Sequence, residues 1–273
     1  MSGTATPAAG EHGSLPQPIA HPGITGATAL VTGASRGIGA AIAAALAAAG
    51  ARVVLTGRDR DALAEATEAA ASVSTAGRRP IALAADLADA DQVSSLHRRV
   101  LEQVGPVNLL VAAAGGLGDP VPLVSMTDRQ WFASVDANLT TAFYTLRAFL
   151  PDMIEARRGS VVTVASTAGR QPSPASPAYG AANAGLLMLT RQAALQVGGH
   201  GVRLNAVAPG SIHTDRLDTL MPHAAQERLA AAHPLGRLGT PDDIARATLY
   251  LLSDQASWIT GATLDVNGGR LMA

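Results

Sequence analysis

The chain of 273 residues has no cysteine and no lysine. Without thiols there are no disulfides, no thiolate metal sites and no cysteine nucleophile. That composition suits a reducing compartment, and the cytoplasm is the expected location. All 20 residues of the Lys+Arg set are arginine. A P-loop lysine, a Schiff base and a proton relay through an ammonium group are therefore excluded. Aromatic residues make up 3% and charged residues 15%, against 48% hydrophobic. A single large core is affordable from that composition, built of Ala, Leu, Val and Ile. The formal net charge of −1 argues against nucleic-acid binding by phosphate neutralisation. The most apolar stretch, 40–50, is mostly alanine and too short to span a bilayer, so no membrane association is expected. No HExxH pattern or dense acid cluster is present, and no metal is expected.

Residues 1–23 are rich in Ala, Gly, Pro and Ser without an apolar period, which predicts a flexible N-terminal tail. Residues 24–273 read as one domain, with no linker and no internal repeat. Short apolar runs of strand length recur at 27–31, 52–55, 81–84, 107–111, 160–164, 202–207 and 262–266. Helical patterns lie between them. In 89–104, Val93, Leu96, Val100 and Val104 share one helical face, and Gly105-Pro106 stops the pattern. A second helix is predicted over 59–76, ending before Gly77. Repeated βα units of this kind predict an α/β fold of the Rossmann type: a doubly wound, seven-stranded parallel sheet flanked by helices.

The first predicted strand runs into Thr32-Gly33-Ala34-Ser35-Arg36-Gly37-Ile38-Gly39, which opens an alanine-rich helix. Glycines there permit a tight turn and close approach to a phosphate. The helix N-terminus offers free N–H groups and partial positive charge to a pyrophosphate. An ordinary βα turn is the plainer alternative. The second strand ends Thr56-Gly57-Arg58, with no acid at its end to bond adenosine ribose hydroxyls. Arg36 and Arg58 suit a 2′-phosphate, and NADPH is the expected cofactor, unless both are simply solvent-facing charges.

Further motifs follow in order. They are Asp86-Leu87 after the third strand, Ala112-Ala113-Ala114-Gly115, Asn138, Ser166 thirteen residues before Tyr179, Ala208-Pro209-Gly210 with Ile212 and Thr214, and Gly268-Gly269. With the glycine loop they resemble the short-chain dehydrogenase/reductase family, most of all its 3-oxoacyl-carrier-protein reductase type, over about 27–270. The resemblance implies an oxidoreductase that reduces a ketone, or a related C=O or C=N group, of a small organic substrate. Tyr179 would be the general acid, Ser166 would hold the substrate oxygen, and Asn138 would hold a water for proton relay. Asp86 and Leu87 would contact adenine, Ala113 and Gly115 the ribose region, and Pro209, Gly210, Ile212 and Thr214 the nicotinamide end. It also implies a homotetramer, or a homodimer, packed through helices near 130–156 and 179–198.

One position departs from the family. Its lysine, four residues after the tyrosine, is Asn183 here. Asn183 can still bond the nicotinamide ribose, but it carries no charge. A unit charge at about 5 Å, at an effective dielectric of about 20, is worth roughly 3 kcal/mol to a phenolate. Reduction, in which a neutral phenol donates its proton, is therefore favoured over oxidation. Three outcomes stay open at this point. One is a working reductase with a modified relay. Another is a non-redox step on the same fold, such as dehydration, cyclisation or isomerisation. The third is a chain impaired for turnover, naturally or by engineering, or one that binds cofactor without being an enzyme. Two alanines, 112 and 113, also replace asparagines of the family, which weakens the expected support for the ribose.

Two segments should border the substrate: 169–178, stiffened by Pro172, Pro174 and Pro177, and 211–239, a lid carrying His213, His223 and His233. His213 directly follows the nicotinamide-end turn and is a candidate for the missing relay near neutral pH. Lid surface is the plainer reading of all three histidines.

Overall fold

The structure is a computed structural model and describes residues 21–272. Most of the expected tail lies outside the described residues. Residues 21–23 lead into a turn in which Ile24 is fully buried and the Pro22 carbonyl accepts from the Asp254 amide.

Seven parallel strands form one sheet: β1 (Thr28–Thr32), β2 (Arg52–Thr56), β3 (Ile81–Ala82), β4 (Leu109–Ala112), β5 (Gly159–Val164), β6 (Val202–Pro209) and β7 (Thr263–Val266), in the order β3-β2-β1-β4-β5-β6-β7. Helices connect them: α1 (Gly37–Ala48), α2 (Arg60–Ser72), α3 (Ala90–Val104), α4 (Asp128–Val135), α5 (Thr141–Glu155), α6 (Pro177–Val197), α7 (Asp215–Leu220), α8 (His223–Ala231) and α9 (Pro241–Leu252). Strand alternation divides the core between the two faces. Val31, Val53, Leu55 and Val111 pack with α1 and α9, while Leu30, Val54, Leu110 and Leu204 pack with α3, α5 and α6. Small alanine side chains on α1 let it lie close against α9, so few aromatics are needed.

Each of the seven apolar runs overlaps a strand, and the parallel doubly wound fold follows as expected. Most ends shift by one or two residues, and two elements differ more plainly. The third strand is short, although its ladder continues through Leu83 N to Leu55 O and Ala85 N to Gly57 O. Helix α2 stops at Ser72 rather than 76. Its continuation is diverted, because the Thr75 amide donates to Ala47 O and its hydroxyl to Ala48 O, satisfying the last carbonyls of α1.

The sheet reverses direction of winding between β1 and β4. The carboxyl ends of the strands at such a switch point form the crevice where ligands bind in open α/β sheets.

Candidate active site and cofactor cleft

A cleft of about 1530 Å³ opens at that switch point. It runs from the glycine loop to the first turns of α6. The turn between β1 and α1 is held by close backbone packing. A Cβ on Gly33 would lie 2.6 Å from Ala113 O, and one on Gly39 would lie 2.2 Å from Gly33 O. Gly33 and Gly37 also have φ of 62° and 55°, in the left-handed region that suits glycine. Arg36 precedes α1 with extended backbone and makes no side-chain cap, so the helix's first amides face the cleft uncapped. The buried Thr32 hydroxyl accepts from Ala113 N at 3.0 Å and Ala114 N at 3.2 Å, tying the ends of β1 and β4 together. That tie is made to backbone, so the alanines at 112 and 113 need no side-chain amide to keep the segment in place.

Ser35, Arg36, Gly37, Ile38, Gly39, Arg58, Asp86, Leu87, Ala113, Gly115 and Thr214 all line the cleft together with Gly33. So do Asn138, Tyr179 and Asn183. Ser166, Pro209, Gly210 and Ile212 do not form its wall. Gly210 N donates to Val266 O, and Ile212 bridges to Gly239, so this segment shapes the turn behind the wall. Thr214 crosses back to the glycine loop, where its Cγ2 would be 3.6 Å from a Cβ on Gly37.

Sequence reasoning missed several contributors. Gly57 leaves room for the Ser35 hydroxyl, which a Cβ would meet at 2.2 Å. Asp59 also lines the cleft and pairs with Arg36 at 2.5 Å. Its place before a helical pattern marks it as an N-cap, but nothing in the sequence points it toward Arg36.

At the other end, α4 and α5 are joined by a π-helical turn over Asp136–Thr140. Such turns are frequent at functional sites. It carries Asn138 inward, where the Asn138 Oδ1 accepts from Gly116 N at 3.0 Å. The Nδ2 group donates to Gly116 O and Ser134 O, at 3.0 and 2.9 Å. The side chain is thus a clip on the backbone after β4.

Ser166 lies just past β5 with extended backbone, and its Oγ accepts from Ala168 N at 3.1 Å, capping a short 3₁₀ turn. An acceptor role there leaves the hydroxyl hydrogen available to donate. The turn is pressed onto α6 at two glycines. A Cβ on Gly169 would lie 2.6 Å from the Asn183 carbonyl carbon, and one on Gly180 would lie 3.2 Å from Ala168 O. This contact sets Ser166 in register with the first turns of α6, which Ser176 starts by accepting from Tyr179 N. Asn183 is 2% exposed and donates through Nδ2 to Tyr179 O at 2.9 Å. An amide of this size folds back onto its own helix; a lysine would have to reach past it.

Arg170 leaves the serine turn and pairs with Asp265 of β7 at 3.1 Å. Burial pushes the Asp265 carboxyl up, and the Arg170 charge pulls it back down. His213 lines the cleft and pairs through Nε2 with Asp218 Oδ1 at 3.0 Å, which also accepts from the buried Gln226. A carboxylate only accepts, so this pair places the His213 Nε2 hydrogen toward Asp218. Among the described residues no cluster of three metal-ligating side chains occurs, and no helix is long and apolar enough to cross a membrane.

The glycine cradle and the uncapped helix N-terminus fit a dinucleotide's pyrophosphate in shape and charge. A family model described as Enoyl-(Acyl carrier protein) reductase matches residues 33–270. The chain is 37% identical over 245 residues to the 3-oxoacyl-[acyl-carrier-protein] reductase FabG of Staphylococcus aureus, covering 90% of this chain and 98% of that one. It is 38% identical to the corresponding reductase of Pseudomonas aeruginosa, covering 92% and 99%. The crystal structure of a short-chain type dehydrogenase/reductase from Mycobacterium marinum superposes with a TM-score of 0.85 at 30% identity, over 92% of this chain and 97% of that one. The sheet, the cleft and these matches together make the chain a member of the short-chain dehydrogenase/reductase family of oxidoreductases.

Proposed function

We propose that the chain is an NADPH-dependent reductase of a small carbonyl compound that works without the family's lysine. The observation that carries this reading is the packing of the Ser166 turn on α6 at Gly169 and Gly180, with Tyr179 and Asn183 of that helix in the cleft wall. The backbone amides of 33–39 and the N-terminus of α1 would hold the pyrophosphate, Arg36 and Arg58 the 2′-phosphate, and Asp86 and Leu87 the adenine. Ala113 and Gly115 give the ribose region close backbone approach. Pro209, Gly210, Ile212 and Thr214 border the nicotinamide end, and Asn183 offers an amide to its ribose. When bound, NADPH supplies the hydride.

The chain supplies the rest. The Tyr179 phenol donates a proton to the carbonyl oxygen as negative charge develops there. The Ser166 hydroxyl donates to the same oxygen and fixes its position. Asn138 acts as a positioning residue that holds the Gly116 backbone. With no cation one turn along α6, the phenol is suited to give a proton rather than to take one. Exposed Phe132, Phe143 and Leu195 on α4, α5 and α6 support assembly of copies into a homotetramer or homodimer, which a sedimentation experiment would test.

Incubating the protein with NADPH and a panel of activated ketones and imines tests the proposal. Consumption of NADPH with at least one of them is expected. Tight dinucleotide binding with no consumption across the panel would favour a non-redox step or a cofactor-binding protein that is not an enzyme.

A further inference from the structure

The charged end of the cleft contains its own anion. Asp59 starts α2, where its Oδ1 accepts from Ala62 N at 3.1 Å. Its Oδ2 pairs with Arg36 at 2.5 Å. Arg36, Arg58 and Asp59 all line the cleft. Arg36 belongs to the start of α1 and Asp59 to the start of α2, so their pair spans the space between two helix N-termini.

We infer that Asp59 is a specificity-determining residue for the dinucleotide, an internal stand-in that occupies Arg36 and must release it before Arg36 can grip a 2′-phosphate. The inference rests on the reading of this cleft as a nicotinamide dinucleotide site. A guanidinium N–H already donated to a carboxylate is one fewer for a phosphate. The same carboxylate accepts hydrogen bonds from unphosphorylated ribose hydroxyls, so Asp59 opposes one cofactor and tolerates the other. The side chains of Arg36 and Asp59 are 74% and 47% exposed. An ion pair that exposed is weakly held and yields to a ligand. Asp59 thereby sets how strongly the two arginines favour the phosphorylated cofactor.

The two carboxylate oxygens have separate duties, which makes the test clean. Asp59→Asn keeps an oxygen to cap α2, since Asn is as good an N-cap as Asp, and removes the charge. Binding of NADPH and of NADH would be titrated by calorimetry at low salt for the native chain, Asp59→Asn, Arg36→Ala and the double variant. Asp59→Asn is expected to raise the ratio of NADPH to NADH affinity by about threefold to fivefold, and to leave it unchanged when Arg36 is already alanine. An unchanged or falling ratio would overturn the inference, as would an equal gain without Arg36. If Asp59→Asn does not fold, Asp59→Ser keeps a capping oxygen without charge and serves in its place. A native chain that prefers NADH would defeat the NADPH reading alone, because the change of ratio in the variant still decides the role of Asp59. Binding of neither cofactor would defeat both.

Discussion

The two ends of the cleft are built on different terms. Where α1 and α2 begin, charge is plentiful: Arg36, Arg58 and Asp59 stand around a glycine turn packed to within atomic contact. Where α6 begins, the candidate groups are uncharged: Asn138, Tyr179 and Asn183 line the cleft with Ser166 just behind them, while Asp136 and His213 also border it. In a chain without lysine, arginine has kept the positive charge at the first end and asparagine has let it go at the second. Position 183 lies buried at the cleft wall, its backbone pressed against Gly169 and its amide turned back to the Tyr179 carbonyl. On the proposed reading, affinity for a dinucleotide and competence in proton transfer are set at different ends of the cleft.

The largest effect should come from Tyr179→Phe. It is expected to slow ketone reduction by about 10²- to 10⁴-fold, the usual worth of a positioned proton donor. Titration of the same variant with NADPH should give an affinity near that of the native chain. A parallel loss of binding would mean that the two ends are not independent.

A matched pair of glycine substitutions separates the ends next. Gly169→Ala puts a Cβ into the Asn183 backbone and should push the serine turn away from α6. A misplacement of about 1 Å there is expected to cost on the order of 10²-fold in kcat, with NADPH affinity little changed. Gly39→Ala puts a Cβ onto Gly33 O. It should weaken NADPH binding by about tenfold and lower stability by about 1–3 kcal/mol. Steady-state kinetics and binding titrations on both variants check the crossover, and identical kinetic phenotypes would break it.

The smallest effect is expected away from both ends, where the 211–239 segment returns to α9. Asp243 accepts from Arg237 and closes a capping box with Thr240, and these contacts hold its carboxyl well below the usual range. A depressed carboxyl stabilises the fold above its unfolded value, about pH 4, and that contribution is lost as the pH falls below it. Denaturant unfolding at pH 6 and pH 2.5 should show Asp243→Asn losing less stability on acidification than the native chain, by about 1 kcal/mol or less.

The strands were legible because Val- and Leu-rich runs of the right length leave little choice, and the glycine loop because a strand and a helix frame it. The end of α2 was not, since Val73–Thr75 fit a helix locally and were claimed by the free carbonyls of α1. The types and spacing of Ser166, Tyr179 and Asn183 could be read in sequence, but what seats the serine turn on α6 could not. It lies in Gly169 and Gly180, whose missing side chains matter only against a neighbouring element. The same holds for Asn138, whose partner Gly116 is reached through a π-helical turn with no sequence signature, and for Asp59, which reads as a helix cap and is also an ion partner.

The uncharged side chain at position 183, one turn beyond Tyr179, is the feature on which the proposed chemistry turns. Its most direct test is the pH dependence of both directions of the reaction in the native chain, with a ketone from the panel and its matching alcohol. Reduction should be nearly flat between about pH 6 and pH 8, while oxidation should keep climbing across that range. An oxidation rate already level at pH 7 would contradict it, because some other group would then be doing the work of the missing lysine.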